Sequence, residues 1–181
     1  MNERKTEWGK KKKFLINVEE FAKSLGNISL FTAKEILNDG RIMGLISEYL
    51  ICDKLDWNKM TKEKAYDATT LDGDKIEIRV ITESSGMSIV PSSFKGAGRK
   101  FNKDLLYEKF SKINGYSFVD GRKIVDGSFS FVSIEVDSIK EKYESGFFGK
   151  CGQTKSKEKI DSFFNNEGAN NNRENKKKFI G

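Results

Sequence analysis

The chain has no histidine, only two cysteines and a single proline among its 181 residues. The missing histidine removes Ser-His-Asp and Cys-His catalysis, histidine-dependent metal nucleases, HExxH proteases and every zinc finger that needs an imidazole. Cys52 and Cys151 are too few for a four-cysteine zinc site. They lie far apart, with Cys52 in an apolar helix-like stretch, and read as free thiols of a reducing cytoplasm. No apolar run approaches the roughly 18 residues of a membrane span. The N-terminus, MNERKTEWGKKKKF, lacks the apolar core of a secretory signal. Catalysis here must rest on carboxylates, lysines, arginines, tyrosines or serines, and hard oxygen ligands favour magnesium or a similar ion.

What is present suits one globular domain with polar ends. Hydrophobic residues make up 36% and charged residues 33% of the chain, enough for one sizeable core at this length. The net charge of +6 invites a nucleic-acid reading until it is divided along the chain. Residues 1–13 hold six Lys/Arg and two Glu, and residues 150–181 hold eight Lys/Arg and four Asp/Glu. Each end is therefore +4 and the body, 14–149, is near −2. Global basicity belongs to the ends, so a specific nucleic-acid surface has to be local. The expected organisation is a basic tail over 1–13, a single domain over 14–149, and a partly flexible Lys/Asn-rich segment over 150–181.

The spacing of Phe14, Leu15, Val18, Phe21, Ala22 and Leu25 predicts a helix over 14–25. A second helix is expected over 32–38 with Thr32 as its cap. A third follows in RIMGLISEYLICDKLDW, with Ile42, Leu45, Ile46, Tyr49, Leu50 and Leu55 as its buried stripe. Residues 66–71 and 75–82 read as strands around Asp72-Gly73-Asp74, a strong hairpin signal. Residues 83–103 form a Gly/Ser-rich loop with the only proline, Pro91. Then come an amphipathic helix over 103–113, strands over 116–119 and 128–136, and a short helix capped by Asp137. Ile160, Phe163 and Phe164 suit a docking helix, whereas NNEGANNNREN cannot bury a core. The order predicts an α/β fold with a mixed β-sheet flanked by α-helices.

Chemistry concentrates in YDATTLDGDKIEIRVI, residues 66–81. On a strand, Glu77 and Arg79 share one face and Ile76, Ile78 and Val80 the other. The hairpin loop decides whether Asp67 joins Glu77. A two-residue loop pairs 71 with 74 and sends Asp67 to the wrong face. A three-residue loop, Leu71-Asp72-Gly73 with Gly73 left-handed, pairs 70 with 74 and Asp67 with Glu77. The odd-length loop is the expectation. The alternative to a metal and phosphodiester site is an ordinary hairpin with charges on its solvent face.

With Glu48 upstream in GLISEYL, the YD strand, the glycine turn and IEIR, residues Gly40 to Val136 resemble the PD-(D/E)XK nuclease superfamily, most closely its small type II restriction endonucleases. That resemblance implies a restriction-endonuclease-like core and Mg²⁺-dependent, sequence-specific cleavage of double-stranded DNA in a bacterial cytoplasm, leaving 5′-phosphates, with Mn²⁺ as a substitute ion. Asp67 and Glu77 would hold the metal, with the Ile78 carbonyl a third ligand. Glu48 would be an outer or second-metal ligand, or else a solvated helix carboxylate. The chain departs from the pattern at Arg79, where lysine is usual. Arginine does not deprotonate, but it stabilises developing negative charge. Two other readings stay open: a non-catalytic DNA-binding protein of the same fold, and a repair or mobile-element nuclease of low specificity.

Lys95, Arg99, Lys100 and Lys103 follow the hairpin, with Gly96 and Gly98 between them. Glycines admit close backbone approach, and cations neutralise phosphates or read guanine edges, so these four are the expected DNA contacts. The alternative is a solvated basic loop entering a helix. A palindromic target would require a homodimer, with apolar positions of the N-terminal helices at its interface.

Overall fold

A computed structural model describes residues 8–60, 65–90 and 101–167. Its elements are β1 (Lys11–Leu15), α1 (Val18–Ser24), α2 (Leu30–Asn38), α3 (Gly40–Leu55), β2 (Asn58–Lys59), β3 (Ala68–Thr69), β4 (Lys75–Ile81), β5 (Met87–Ser88), α4 (Lys103–Ser111), β6 (Gly115–Asp120), β7 (Ser128–Glu135), α5 (Val136–Glu144), β8 (Gln153–Thr154) and α6 (Lys157–Glu167). The main sheet has six strands in the order β1-β7-β6-β4-β3-β2. All its neighbours are antiparallel except β4 and β6, which run parallel across the α4 connection, so the fold is α/β with a mixed sheet. β5 and β8 form a separate two-stranded ribbon. Among the described residues, no helix is long and apolar enough to cross a membrane.

Strand alternation divides the core into two layers. Ile76 and Ile78 of β4, Val119 of β6, and Phe129 and Phe131 of β7 face α1, α2 and α3. Ile81, Tyr116, Phe118, Val132 and Ile134 face α4, α5 and α6. The docking helix expected around Ile160, Phe163 and Phe164 is α6, and all three side chains are buried there. Covering both faces has a direct consequence for the hairpin. The polar side of β4, read as a possible solvent face, lies beneath α4, and Glu77 is buried.

Several local expectations are corrected. Lys11–Leu15 is an edge strand on β7, so Lys11, Lys12 and Lys13 belong to the sheet and the first helix starts only at Val18. Stacking of Phe14 on Phe131 at 5.3 Å and the side-chain cap from Asn17 explain the break between strand and helix. Ser29, not Thr32, caps α2, and α5 begins at Val136, with Asp137 in its first turn. The loop read over 83–103 contains β5. The inward face of α3 carries Met43, Ser47, Ile51 and Cys52, while Ile42, Leu45 and Tyr49 are exposed. The helix is apolar around most of its girth, so periodicity alone does not choose the side that meets β4.

Candidate functional site

The hairpin turn sets the site. Gly73 has φ +86°, the left-handed conformation that favours glycine. The Gly73 amide donates to the Thr70 carbonyl at 3.0 Å, and the Thr70 amide donates to the Asp74 carbonyl at 2.9 Å. The loop is thus Leu71-Asp72-Gly73, and Thr69 pairs with Lys75 and Ala68 with Ile76. The register does not continue beyond Ala68: the Asp67 amide donates to the Ile76 carbonyl at 2.9 Å, so Asp67 stands with Ala68 opposite Ile76 and the expected pairing of Asp67 with Glu77 is replaced by a bulge. The strand ladder itself stops at Ala68, and Asp67 occupies a bend.

That early stop opens β4 along one edge. On its other edge β4 pairs with β6 from Ile76 through Ile81, but β3 accompanies it only at Lys75 and Ile76. The Ile78 amide faces the gap and donates to Asp67 Oδ2 at 2.7 Å. Within an extended residue the N–H and C=O point to the same neighbour, so the Ile78 carbonyl faces the Asp67 side as well. The Asp67 carboxylate thus takes the place of a missing strand and stands beside a backbone carbonyl.

Glu77 points to the α4 face. One of its oxygens pairs with the Arg79 guanidinium and the other with the Lys109 amine, which also donates to the Ala65 carbonyl. Burial pushes the Glu77 carboxyl above its ordinary value of 4.5; Arg79 and Lys109 pull it down, and the Asp67 charge pushes it up. The register places Tyr116 beside Glu77 on β6. Burial keeps that phenol well above its usual range, and its hydroxyl donates to the Ile89 carbonyl at 3.0 Å. Tyr116 is therefore a neutral wall of the site and no base.

Glu48 enters from α3 and pairs with Lys59 of β2 at 2.6 Å. Lys59 also lies 4.9 Å from the Tyr49 ring centroid and feels the Asp67 charge. Beneath this pair the buried Cys52 thiol is pushed up to about 11, chiefly by burial. The structure thus brings Asp67, Glu77, Ile78 and Arg79 together and gives Glu48 a lysine partner of its own. Among the described residues, no three His, Cys, Asp or Glu side chains gather to hold an ion. Two carboxylates and a carbonyl nonetheless suit Mg²⁺, which takes one or two carboxylates and keeps several waters.

Lys109 and Lys59 were not singled out by sequence reasoning. Lys109 lies 32 residues beyond Glu77, and its only local signal is a polar position on a helix whose Leu106 and Phe110 are buried. Among the expected DNA contacts, Lys103 opens α4 and lies 5.5 Å from the Tyr107 ring centroid. Lys95, Arg99 and Lys100 fall outside the described residues. No family model, no curated protein and no solved structure matches the chain significantly.

Proposed function

We propose that the chain is a Mg²⁺-dependent endonuclease of double-stranded DNA, of the type II restriction kind, leaving 5′-phosphates. The observation that carries this reading is the end of β3 at Ala68, which leaves the Asp67 carboxylate on the Ile78 amide and close enough to Glu77 for its charge to act there. Leaving aside β5 of the separate ribbon, the order helix, three antiparallel strands, helix, parallel strand from α3 to β6 agrees with a restriction-endonuclease-like core. In this reading Asp67, Glu77 and the Ile78 carbonyl hold the ion. Bound there, Mg²⁺ supplies polarisation of the scissile phosphate and a lowered pKa of coordinated water.

The protein's own groups divide the remaining work. Arg79, fixed on the same strand face as Glu77, stabilises the added negative charge of the pentavalent phosphorane. Lys109 supplies the compact ammonium that arginine cannot replace, with three rotatable donors for orienting a water beside Glu77. Before an ion binds, these two cations neutralise Glu77 and keep a buried carboxylate from standing unpaired. Lys103, with Lys95, Arg99 and Lys100, takes the DNA backbone, and a homodimer reads a palindromic site.

Incubating the full chain with long double-stranded DNA and Mg²⁺ tests the reading. Discrete fragments support restriction cleavage. A smear indicates a nuclease of low specificity, and binding without cleavage indicates a DNA-binding protein that lacks turnover. Asp67→Ala and Glu77→Ala should abolish cutting and leave DNA binding largely intact; cutting retained by either would refute the site. Lys109→Met should slow cutting far more than Lys112→Met, which alters an exposed pair one turn away.

A further inference from the structure

At the opposite end of the sheet, β1, the β6–β7 connection and α6 enclose a cleft of about 520 Å³. Small-ligand sites span roughly 300–1,000 Å³. Its lining includes none of Asp67, Glu77, Ile78, Arg79 and Lys109, so the cleft is separate from the nuclease-like site.

Lys11 and Lys13 reach the cleft from one face of β1, Lys123 from the turn after β6, and Lys157 from the first turn of α6. Among the described residues none of the four forms an ion pair with a carboxylate; Lys11 instead lies 5.7 Å from the Phe164 ring centroid. Arg122 is different. Its guanidinium is held by Asp120 at 2.8 Å and by Asp161 at 2.7 Å, which ties the β6 turn to α6 and makes a fixed wall. A smaller pocket shares Glu83, Arg122 and Lys157 with the cleft and adds Lys155. The joint lining holds six cations and three carboxylates, a surplus of three positive charges.

This pattern suits a compact, multiply charged anion. A single phosphoryl group carries about −1.5 to −2, so a di- or triphosphate roughly matches the surplus. Ser128 and Ser130 add hydroxyl donors, and Glu83 can accept from a ribose hydroxyl or a base amine. Carboxylates interleaved with the lysines disfavour a nucleic-acid backbone, which is met by surfaces of one sign. We propose that this cleft binds a small polyphosphate, with Lys11, Lys13, Lys123 and Lys157 on its phosphates and a nucleoside triphosphate as its natural form.

Calorimetric titration of the full chain in EDTA, with ATP, inorganic tripolyphosphate and a single-stranded oligonucleotide in separate arms, tests this independently of any metal-dependent activity. Saturable binding of ATP or tripolyphosphate tighter than about 1 mM is expected. Tighter binding of ATP identifies a nucleoside source, and equal binding an inorganic one. The double variant Lys13→Glu/Lys157→Glu should weaken the polyphosphate at least tenfold, whereas Lys23→Glu/Lys34→Glu, an equal charge change on α1 and α2, should leave it unchanged. Equal losses in the two variants, or no saturable binding of either polyphosphate, would overturn the assignment. So would an oligonucleotide that binds more tightly than both and depends on Lys13 and Lys157.

Discussion

Asp67 is placed to do two separable things, and two substitutions at that position tell them apart. Its Oδ2 accepts the Ile78 amide at 2.7 Å, on a residue only 4% exposed, where β3 has already left the sheet. Asp67→Ala removes that acceptor and leaves a buried N–H without a partner, a loss of about 2 kcal/mol within the usual 1–3 kcal/mol for such a group. Asp67→Asn keeps a carbonyl oxygen of the same reach and gives up only the charge assistance, so its cost should stay below about 1 kcal/mol. For a chain of this size, the alanine variant should melt roughly 4–8 °C lower. Urea unfolding followed by tryptophan fluorescence measures both, with an unchanged m-value as the check that the end states are the same. Both variants should nonetheless lose DNA cleavage, because an amide does not replace an anionic metal ligand. If asparagine destabilises as much as alanine, the acceptor argument fails. If asparagine still cuts, Asp67 is a structural residue and the metal-site reading falls.

The remaining predictions draw on other parts of the molecule. The Glu77 carboxyl is held above 4.5 mainly by burial, so its contribution to stability is full below that value and is lost as pH rises through the raised one. Glu77→Gln keeps the shape of the side chain and removes its charge; at pH 8 it should be inactive, and cleavage retained by this variant would refute Glu77 as an ion ligand. Mg²⁺ affinity, read by calorimetry, should rise with pH through the same window, because only the ionised carboxylate is a ligand. Gly115→Ala places a methyl against the Trp8 ring and 2.5 Å from the Ile134 carbonyl oxygen, and should cost about 1–3 kcal/mol by overpacking. A thiol reagent should label the exposed Cys151 quickly and Cys52 only on unfolding, since the Cys52 thiol is buried and pushed up to about 11; two fast thiols would contradict the α3 packing.

What the chain dictates locally could be read from it directly. Three residues closing on Gly73 demand a left-handed glycine, and that one turn pairs Thr69 with Lys75 and Ala68 with Ile76, which brings Asp67 to the edge of β4. Period-2 alternation placed Glu77 beside Arg79, and helical spacing located α2, α3, α4 and the docking helix α6. Other features depended on which surfaces meet. The apolar girth of α3 offers more than one stripe, and only contact with β4 selects Met43, Ser47 and Ile51 over Ile42, Leu45 and Tyr49. Lys11–Leu15 has no strand identity until β7 supplies hydrogen-bond partners. The burial of Glu77, and its sharing between Arg79 and Lys109, arise because α4 folds over a strand face whose sequence resembles a solvent-exposed one. The turn and the strand periodicity were thus sequence properties, set by backbone conformation over a few residues. The second cation, the split between β3 and β4 and the lysine-lined cleft were tertiary ones, because each needs groups far apart in sequence to share one place.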